Sequence, residues 1–202
     1  MPPSDRIATT KVQLWRVPAT PHPPQMHYRA QTAAMPYVRN VPQNEFVYTR
    51  SDDPRARPLI DELSREYDER YGLNDGIPSS VELSRYPAER FSPENGGAFL
   101  LVVRDDQVVA GGAFMRTDDT TAEIKRVWTS SAHRRQGLAR VVMAELEREA
   151  AARGYTVAEL TTGARQPEAV ALYLSLGYTP QFDLDGDLEA IGYLAFTKPL
   201  SP

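Results

Sequence analysis

Between Ala98 and Gly154 three strand-like runs follow one another and give way, through a single polar loop, to one amphipathic helix. Ala98–Val103 and Val108–Met115 are rich in β-branched and apolar residues, and Asp105-Asp106 between them suits a tight turn, so the two read as a hairpin. Thr121–Thr129 reads as a third strand. The chain then enters a helix from about Gly137 to Arg153, with Leu138, Val141, Val142 and Leu146 on one face and Gly154 as its stop. Strands that pair locally, and a helix that must bury one face against them, imply an α/β domain with a mixed, mostly antiparallel sheet flanked by helices.

The flanking sequence extends this order in both directions. Glu45–Thr49 is a β-rich run, Asp52-Asp53-Pro54 supplies a helix start, and a helix is expected to reach Tyr71 and stop at Gly72. Ser79–Phe91 reads as a second helix before the turn Pro93–Gly97. Beyond the central helix, Val157–Thr162 reads as a strand, Pro167–Leu176 as a helix and Gly192–Lys198 as a closing strand. Met1–Pro42 differs: its eight prolines and lack of periodicity mark residues 1–44 as an N-terminal extension, expected to be flexible, ahead of a domain over 45–202. Met26 and Met35 are alternative starts, and a docking arm around Trp15 is the competing reading.

Composition narrows the chemistry. Residues 45–202 carry 18 Lys/Arg against 26 Asp/Glu, an acidic balance that argues against a nucleic-acid binder and suits a cationic or amine partner. With no cysteine, a thiol nucleophile and a Cys-ligated zinc are excluded. His22, His27 and His133 do not have metal-ligand spacing, so no metal is expected. No apolar run is long enough to cross a bilayer and the N-terminus lacks a secretory core, which gives no membrane partner and a cytoplasmic location as expectations.

The loop Ser130–Arg140 carries the strongest chemical signal. It joins a strand to a helix, contains Gly137 beside the small Ala139, and places Arg134, Arg135 and Arg140 at the positive end of the helix dipole. Unpaired N–H groups, backbone access and added positive charge make a diphosphate site. The alternative is a capped helix with a solvated basic first turn, which the dipole disfavours.

Arg134-x-x-Gly137-x-Ala139 resembles the Gln/Arg-x-x-Gly-x-Gly/Ala signature of the GNAT superfamily of N-acetyltransferases. Ala169-x-x-Leu172-Tyr173 followed by Gly177-Tyr178 is similar to the superfamily's second hallmark, and the two likenesses span Thr121–Pro180. The resemblance implies the GNAT (acyl-CoA N-acyltransferase) fold and acetyl-CoA as co-substrate. It implies that the backbone of Val127, Trp128 and Thr129 pairs with the pantetheine arm. The N–H groups of Gln136, Gly137, Leu138, Ala139 and Arg140 would hold the pyrophosphate, with Arg134 and Arg135 beside it. Gln166 stands where the family often has an Asn near the pantetheine.

By the same resemblance Glu123 is the general base and Tyr173 the general acid beside the sulfur. Each has a plainer reading. Glu123 equally reads as a strand charge paired with Lys125 or Arg126, and Tyr173 as packing, although Leu172 and Leu176 are expected to supply the buried face of its helix. His133, just ahead of the phosphate loop, reads as a surface neighbour. The acceptor site is expected among Tyr67, Asp68, Glu69, Tyr71, Tyr86 and Asp183–Glu189, with a small-molecule or peptide amine as partner and a homodimer as a further candidate. The leading function is acetyl transfer by direct attack in a ternary complex. A CoA-binding module without turnover and a transferase for longer acyl-CoA are the alternatives.

Overall fold

The computed structural model describes residues 43–74 and 76–201. The proline-rich stretch with Trp15, His22, Met26, His27 and Met35 lies outside the described residues. In chain order the elements are β1 (Glu45–Thr49), α1 (Arg57–Tyr71), β2 (Leu73–Asn74), β3 (Ile77–Pro78), β4 (Ala98–Arg104), β5 (Gln107–Arg116), β6 (Thr121–Thr129), α2 (Leu138–Ala152), β7 (Val157–Gly163), α3 (Pro167–Ser175), β8 (Thr179–Pro180), α4 (Leu188–Ile191) and β9 (Tyr193–Pro199). One sheet runs in the order β1-β4-β5-β6-β7-β9-β8, and β2 pairs with β3 in a separate hairpin. Within the large sheet only β6 and β7 are parallel.

Both faces of the sheet bury apolar side chains. On one, Val142, Met143 and Leu146 of α2 and Tyr173 of α3 pack against Leu100, Phe114, Ile124, Leu160 and Phe196. On the other, Leu59 and Leu63 of α1 pack against Phe91, Phe99, Leu101, Met115 and Trp128. The strands therefore read as nearly continuous apolar runs rather than alternating ones, as strands covered on both faces do.

β6 departs from alternation at one point. Gly111 and Ala113 of β5 lie opposite Trp128 and Lys125, so β6 carries one extra residue there, and Arg126 adopts φ 58°. Ala122 and Ile124 belong to the core under α2, whereas Trp128, also an even position, belongs to the core under α1. A bulge that shifts the phase by one residue accounts for the change of face.

The helix expected over Ser79–Phe91 is instead two 3-10 segments, Ser79–Ser84 and Ala88–Phe91. Pro87 breaks it. A continuous helix needs an N–H at residue 87 to bond the Leu83 carbonyl; proline has none, and its ring disfavours helical geometry at Tyr86. The freed Leu83 carbonyl accepts from the Arg126 guanidinium at 2.5 Å. Similarly, the N-terminal helix opens with a 3-10 turn at Pro54–Ala56, where the Asp53 side chain accepts from the Arg55 N–H at 2.8 Å.

Candidate active site

The parallel pair β6 and β7 stays in register only from Thr121↔Val157 to Ile124↔Leu160. Past that point β6 keeps to β5 as far as Thr129, and β7 keeps to β9 as far as Gly163. The two strands part, and from Lys125 onward β6 has no partner on its β7 side among the described residues. An opening at the carboxyl ends of parallel strands leaves backbone N–H and C=O groups available to a ligand. Val127, Trp128 and Thr129 lie along this edge. The Trp128 side chain is buried and donates Nε1–H to Glu62 at 2.9 Å, while the Thr129 hydroxyl is buried without a partner among the described residues.

The same strand delivers the chain to α2. Gly137 is its N-cap at φ 77°, no side chain caps the helix, and no acid stands in its first turn. The Arg140 N–H bonds back to the Gly137 carbonyl at 3.0 Å; the N–H groups ahead of it belong to the uncapped turn. A Cβ built on Gly137 would meet nothing within 4 Å, so the turn faces open space. These observations fit a bound diphosphate: unpaired donors, the positive end of a helix and room for an anion.

The basic residues around the turn are positioned by other elements. Arg134 bonds Glu66 of α1 at 3.0 Å, Arg140 bonds the Ser175 hydroxyl of α3 at 2.6 Å, and Arg135 is exposed at φ 61°. The Gln136 side chain accepts from Arg104 at 2.7 Å, Leu138 is buried in the core under α2, and Ala139 is half-buried. Glu66 also pairs with Arg70 at 2.6 Å, and Arg70 reaches Glu168 at the start of α3. One ionic chain thus crosses from the loop ahead of α2 over α1 to the far side of the opening. Neither Glu62 nor Glu66 stood out in the sequence, because acids on an amphipathic helix read as a solvated face.

Across the opening, Gln166 stands at the N-cap position of α3 without capping it; its side chain turns back to the end of β7, where Oε1 accepts from the Thr162 hydroxyl at 2.5 Å and from the Gly163 N–H at 3.4 Å. The Tyr71 ring crowds Gly163 so closely that no Cβ fits there.

Tyr173 is more buried than its neighbours expected it to be. It is the buried residue of α3, whereas Leu172 and Leu176 are only partly covered. Its ring lies 5.9 Å from Tyr178 and 5.7 Å from Phe196. Burial raises the Tyr173 phenol pKa well above its ordinary value, and Tyr67 adds to the rise. Tyr67 itself is pushed up to about 12, mainly by burial, then by Glu82, Tyr71 and Glu66.

Glu123 alternates with Ala122 and Ile124 and so faces the α1 side, opposite to Tyr173. It pairs with Lys125 at 2.7 Å, both side chains largely buried, and the Lys125 Nζ sits 4.7 Å above the Tyr86 ring. Acid and base candidates thus stand on opposite faces of the sheet, next to the place where the sheet opens. Of the expected acceptor residues, Tyr67, Tyr71 and Tyr86 gather on the α1 side. Asp68 holds the Ser80 N–H at 2.8 Å, and Asp183 and Asp187 bond backbone N–H groups of their own turns. Among the described residues no group of His, Asp and Glu could hold a metal, and no helix is long and apolar enough to cross a membrane.

The fold has counterparts among solved structures. An acetyltransferase from Streptococcus agalactiae 2603 superposes with a TM-score of 0.62 over 78% of this chain and 98% of that one, at 20% identity. A GNAT-family acetyltransferase from Staphylococcus aureus Mu50 does so with a TM-score of 0.62 over 79% and 100%, at 12% identity. At such identities the likeness speaks for the fold, which is the expected acyl-CoA N-acyltransferase fold. Human N-acetyltransferase 8 is 33% identical over 90 residues, which cover 42% of this chain and 40% of the human protein's length. The family model for the acetyltransferase (GNAT) family matches residues 47–178, well over half of the chain and the whole of the opening described above; the chain belongs to this family of acyltransferases, which draw their acyl group from acyl-CoA.

Proposed function

We propose that the chain transfers an acetyl group from acetyl-CoA to a primary amine of a small molecule or peptide, by direct attack in a ternary complex. One observation carries this reading: the unpaired edge of β6 leads directly into the uncapped, glycine-led N-terminus of α2. A ligand with an amide-bearing arm and a diphosphate finds strand-like partners along Val127–Thr129 and N–H donors over Gln136–Ala139, the Arg140 N–H being taken by the Gly137 carbonyl, with Arg134 and Arg135 nearby. No cysteine is present to form an acyl-enzyme, which favours direct attack.

In this reading Glu123 takes a proton from the incoming ammonium, directly or through water, so that the amine nitrogen can attack the thioester carbonyl carbon. As the carbon–sulfur bond breaks, the Tyr173 phenol gives its proton to the sulfur, the nitrogen loses to water the one extra proton that the amide does not keep, and both residues return to their starting states by exchange with solvent. Raised by burial, the phenol holds its proton at any pH below its ordinary value of 10.

The reading is tested by thiol release from acetyl-CoA with and without a panel of amines, run beside longer acyl-CoA donors. Amine-dependent release, fastest with the acetyl donor, is expected; a faster longer donor replaces the acetyl assignment, and no amine-dependent release with any donor removes turnover. For the base, Glu123→Gln is expected to lower kcat/KM by ~10²–10⁴-fold. The loss should be greatest at low pH, where the amine is protonated, and should shrink as rising pH supplies free amine. A profile matching the parent in height and shape would leave Glu123 as the partner of Lys125 only.

A further inference from the structure

Arg126 occupies the extra residue of the β6 bulge, two positions past the last β6–β7 pair at Ile124↔Leu160. Its guanidinium is largely buried, lying 4.3 Å from the Phe91 ring centre and donating Nη2–H to the carbonyls of Leu83 at 2.5 Å and Tyr86 at 3.4 Å. Among the described residues it has no carboxylate within ion-pair distance, and its Nε and Nη1 donate to nothing.

The acids on its own strand and on the elements packed against it are engaged elsewhere. Glu123 pairs with Lys125, Glu82 with Arg85 at 3.2 Å, and Glu66 with Arg70 and Arg134. Glu62 accepts from Trp128 and Ser131. Burial accordingly depresses the Arg126 pKa, with only Tyr67 opposing it. A buried cation without a counter-charge is costly, and the Nη1 N–H groups of this guanidinium are charged donors suited to a carboxylate oxygen. The fold keeps such a cation on the α1 side of the opening, beside Lys125, Tyr67 and Tyr86.

We propose that the acceptor is an amine that also bears a carboxylate, an amino acid or a short peptide with a free C-terminus, and that Arg126 binds that carboxylate through the Nη1 N–H groups that its protein partners leave free. The proposal rests on acyl transfer at the β6–β7 opening and narrows its acceptor. In this arrangement the carbonyls of Leu83, left free by Pro87, and of Tyr86 hold the guanidinium in place.

The test uses the full chain, acetyl-CoA, and amino acids of increasing carboxylate-to-amine spacing, each beside its carboxamide. For at least one spacing the parent is expected to favour the acid over the amide by ~10–100-fold in kcat/KM, the size of a lost charged hydrogen bond. Arg126→Met should bring that ratio close to one, and Arg126→Lys, which keeps the charge but not the fork, should leave it between the two. A purely structural staple would change both rates together and leave the ratio untouched, which would overturn the proposal, as would a parent indifferent to the carboxylate at every spacing. Should Arg126→Met fail to fold by circular dichroism, the parent alone decides: propionate must inhibit competitively against the amino acid and propionamide must not, and equal effects of the two count against the site. If other amines are acetylated while neither acids nor amides are, only this proposal falls; if no amine is, the underlying transfer falls with it.

Discussion

Replacing Gly137 by glutamate is expected to abolish measurable acetyl-CoA binding while leaving the fold in place. Gly137 takes φ 77°, where a side chain costs about 1–2 kcal/mol, but a Cβ there enters open space. The strain is therefore paid without a clash. The new carboxylate sits at the positive end of α2, where an acid is electrostatically welcome, so it offsets part of that strain. It also competes for the N–H groups proposed to hold the diphosphate and repels the phosphates. Calorimetry should show affinity weakened by at least ~100-fold, about 2.7 kcal/mol, with a native circular dichroism spectrum. Parental affinity in a folded variant would remove this turn as the diphosphate site.

Tyr173→Phe is the second large effect. The phenylalanine keeps the ring that packs between Tyr178 and Phe196 and removes only the hydroxyl. If that hydroxyl protonates the departing sulfur, kcat falls by ~10²-fold or more, while the dissociation constant for acetyl-CoA hardly moves, as expected for an interaction made in the transition state. Single-turnover rates give the comparison directly. A packing role predicts parental rates for Phe and a loss of stability of about 3–5 kcal/mol only for Tyr173→Ala. The burial described above sharpens this contrast, because it makes the ring a substantial part of the core whatever the hydroxyl does. It also predicts that ionisation of Tyr173 contributes no alkaline fall in kcat below its ordinary value of 10.

The sheet was legible because its strands are long, β-branched and bounded by turn residues. Asp105 and Asp106, both at positive φ, form the hairpin turn their sequence suggests, and β6 covers the stretch read as the third strand. Local signals failed where tertiary partners decide. Ser79–Phe91 has helical composition, but Pro87 divides it, and the 3-10 pieces persist because Arg126 and Phe91 tie them to the sheet. The short β8 and α4 have too few residues to show any period. In α3, Val170, Leu172, Tyr173, Leu174 and Leu176 make the helix apolar on most sides, so periodicity could not single out Tyr173 as the buried one.

The loop proposed to hold the diphosphate stands out in the sequence because glycine, a small residue and arginines at a strand-to-helix junction have a local physical meaning. The opening between β6 and β7 does not, since it depends on how far two distant segments stay in register. One trace of the bulge was present: Lys125-Arg126 followed by Val127-Trp128 sets two charged and then two apolar residues in a row, which a regular alternating strand does not do. Arg126 therefore gains its meaning only once Glu123, Glu82 and Glu66 are seen to be paired with other residues.

Transfer of an acetyl group to an amine is decided by the identity of the product. The full chain is incubated with isotope-labelled acetyl-CoA and the amine panel, and the products are analysed by mass spectrometry. The label is expected in an amide on the acceptor nitrogen, in step with thiol release, with the parent forming it and Gly137→Glu not. Thiol release without labelled amide, label fixed on the protein instead, or equal product from Gly137→Glu would contradict acetyl transfer at this site.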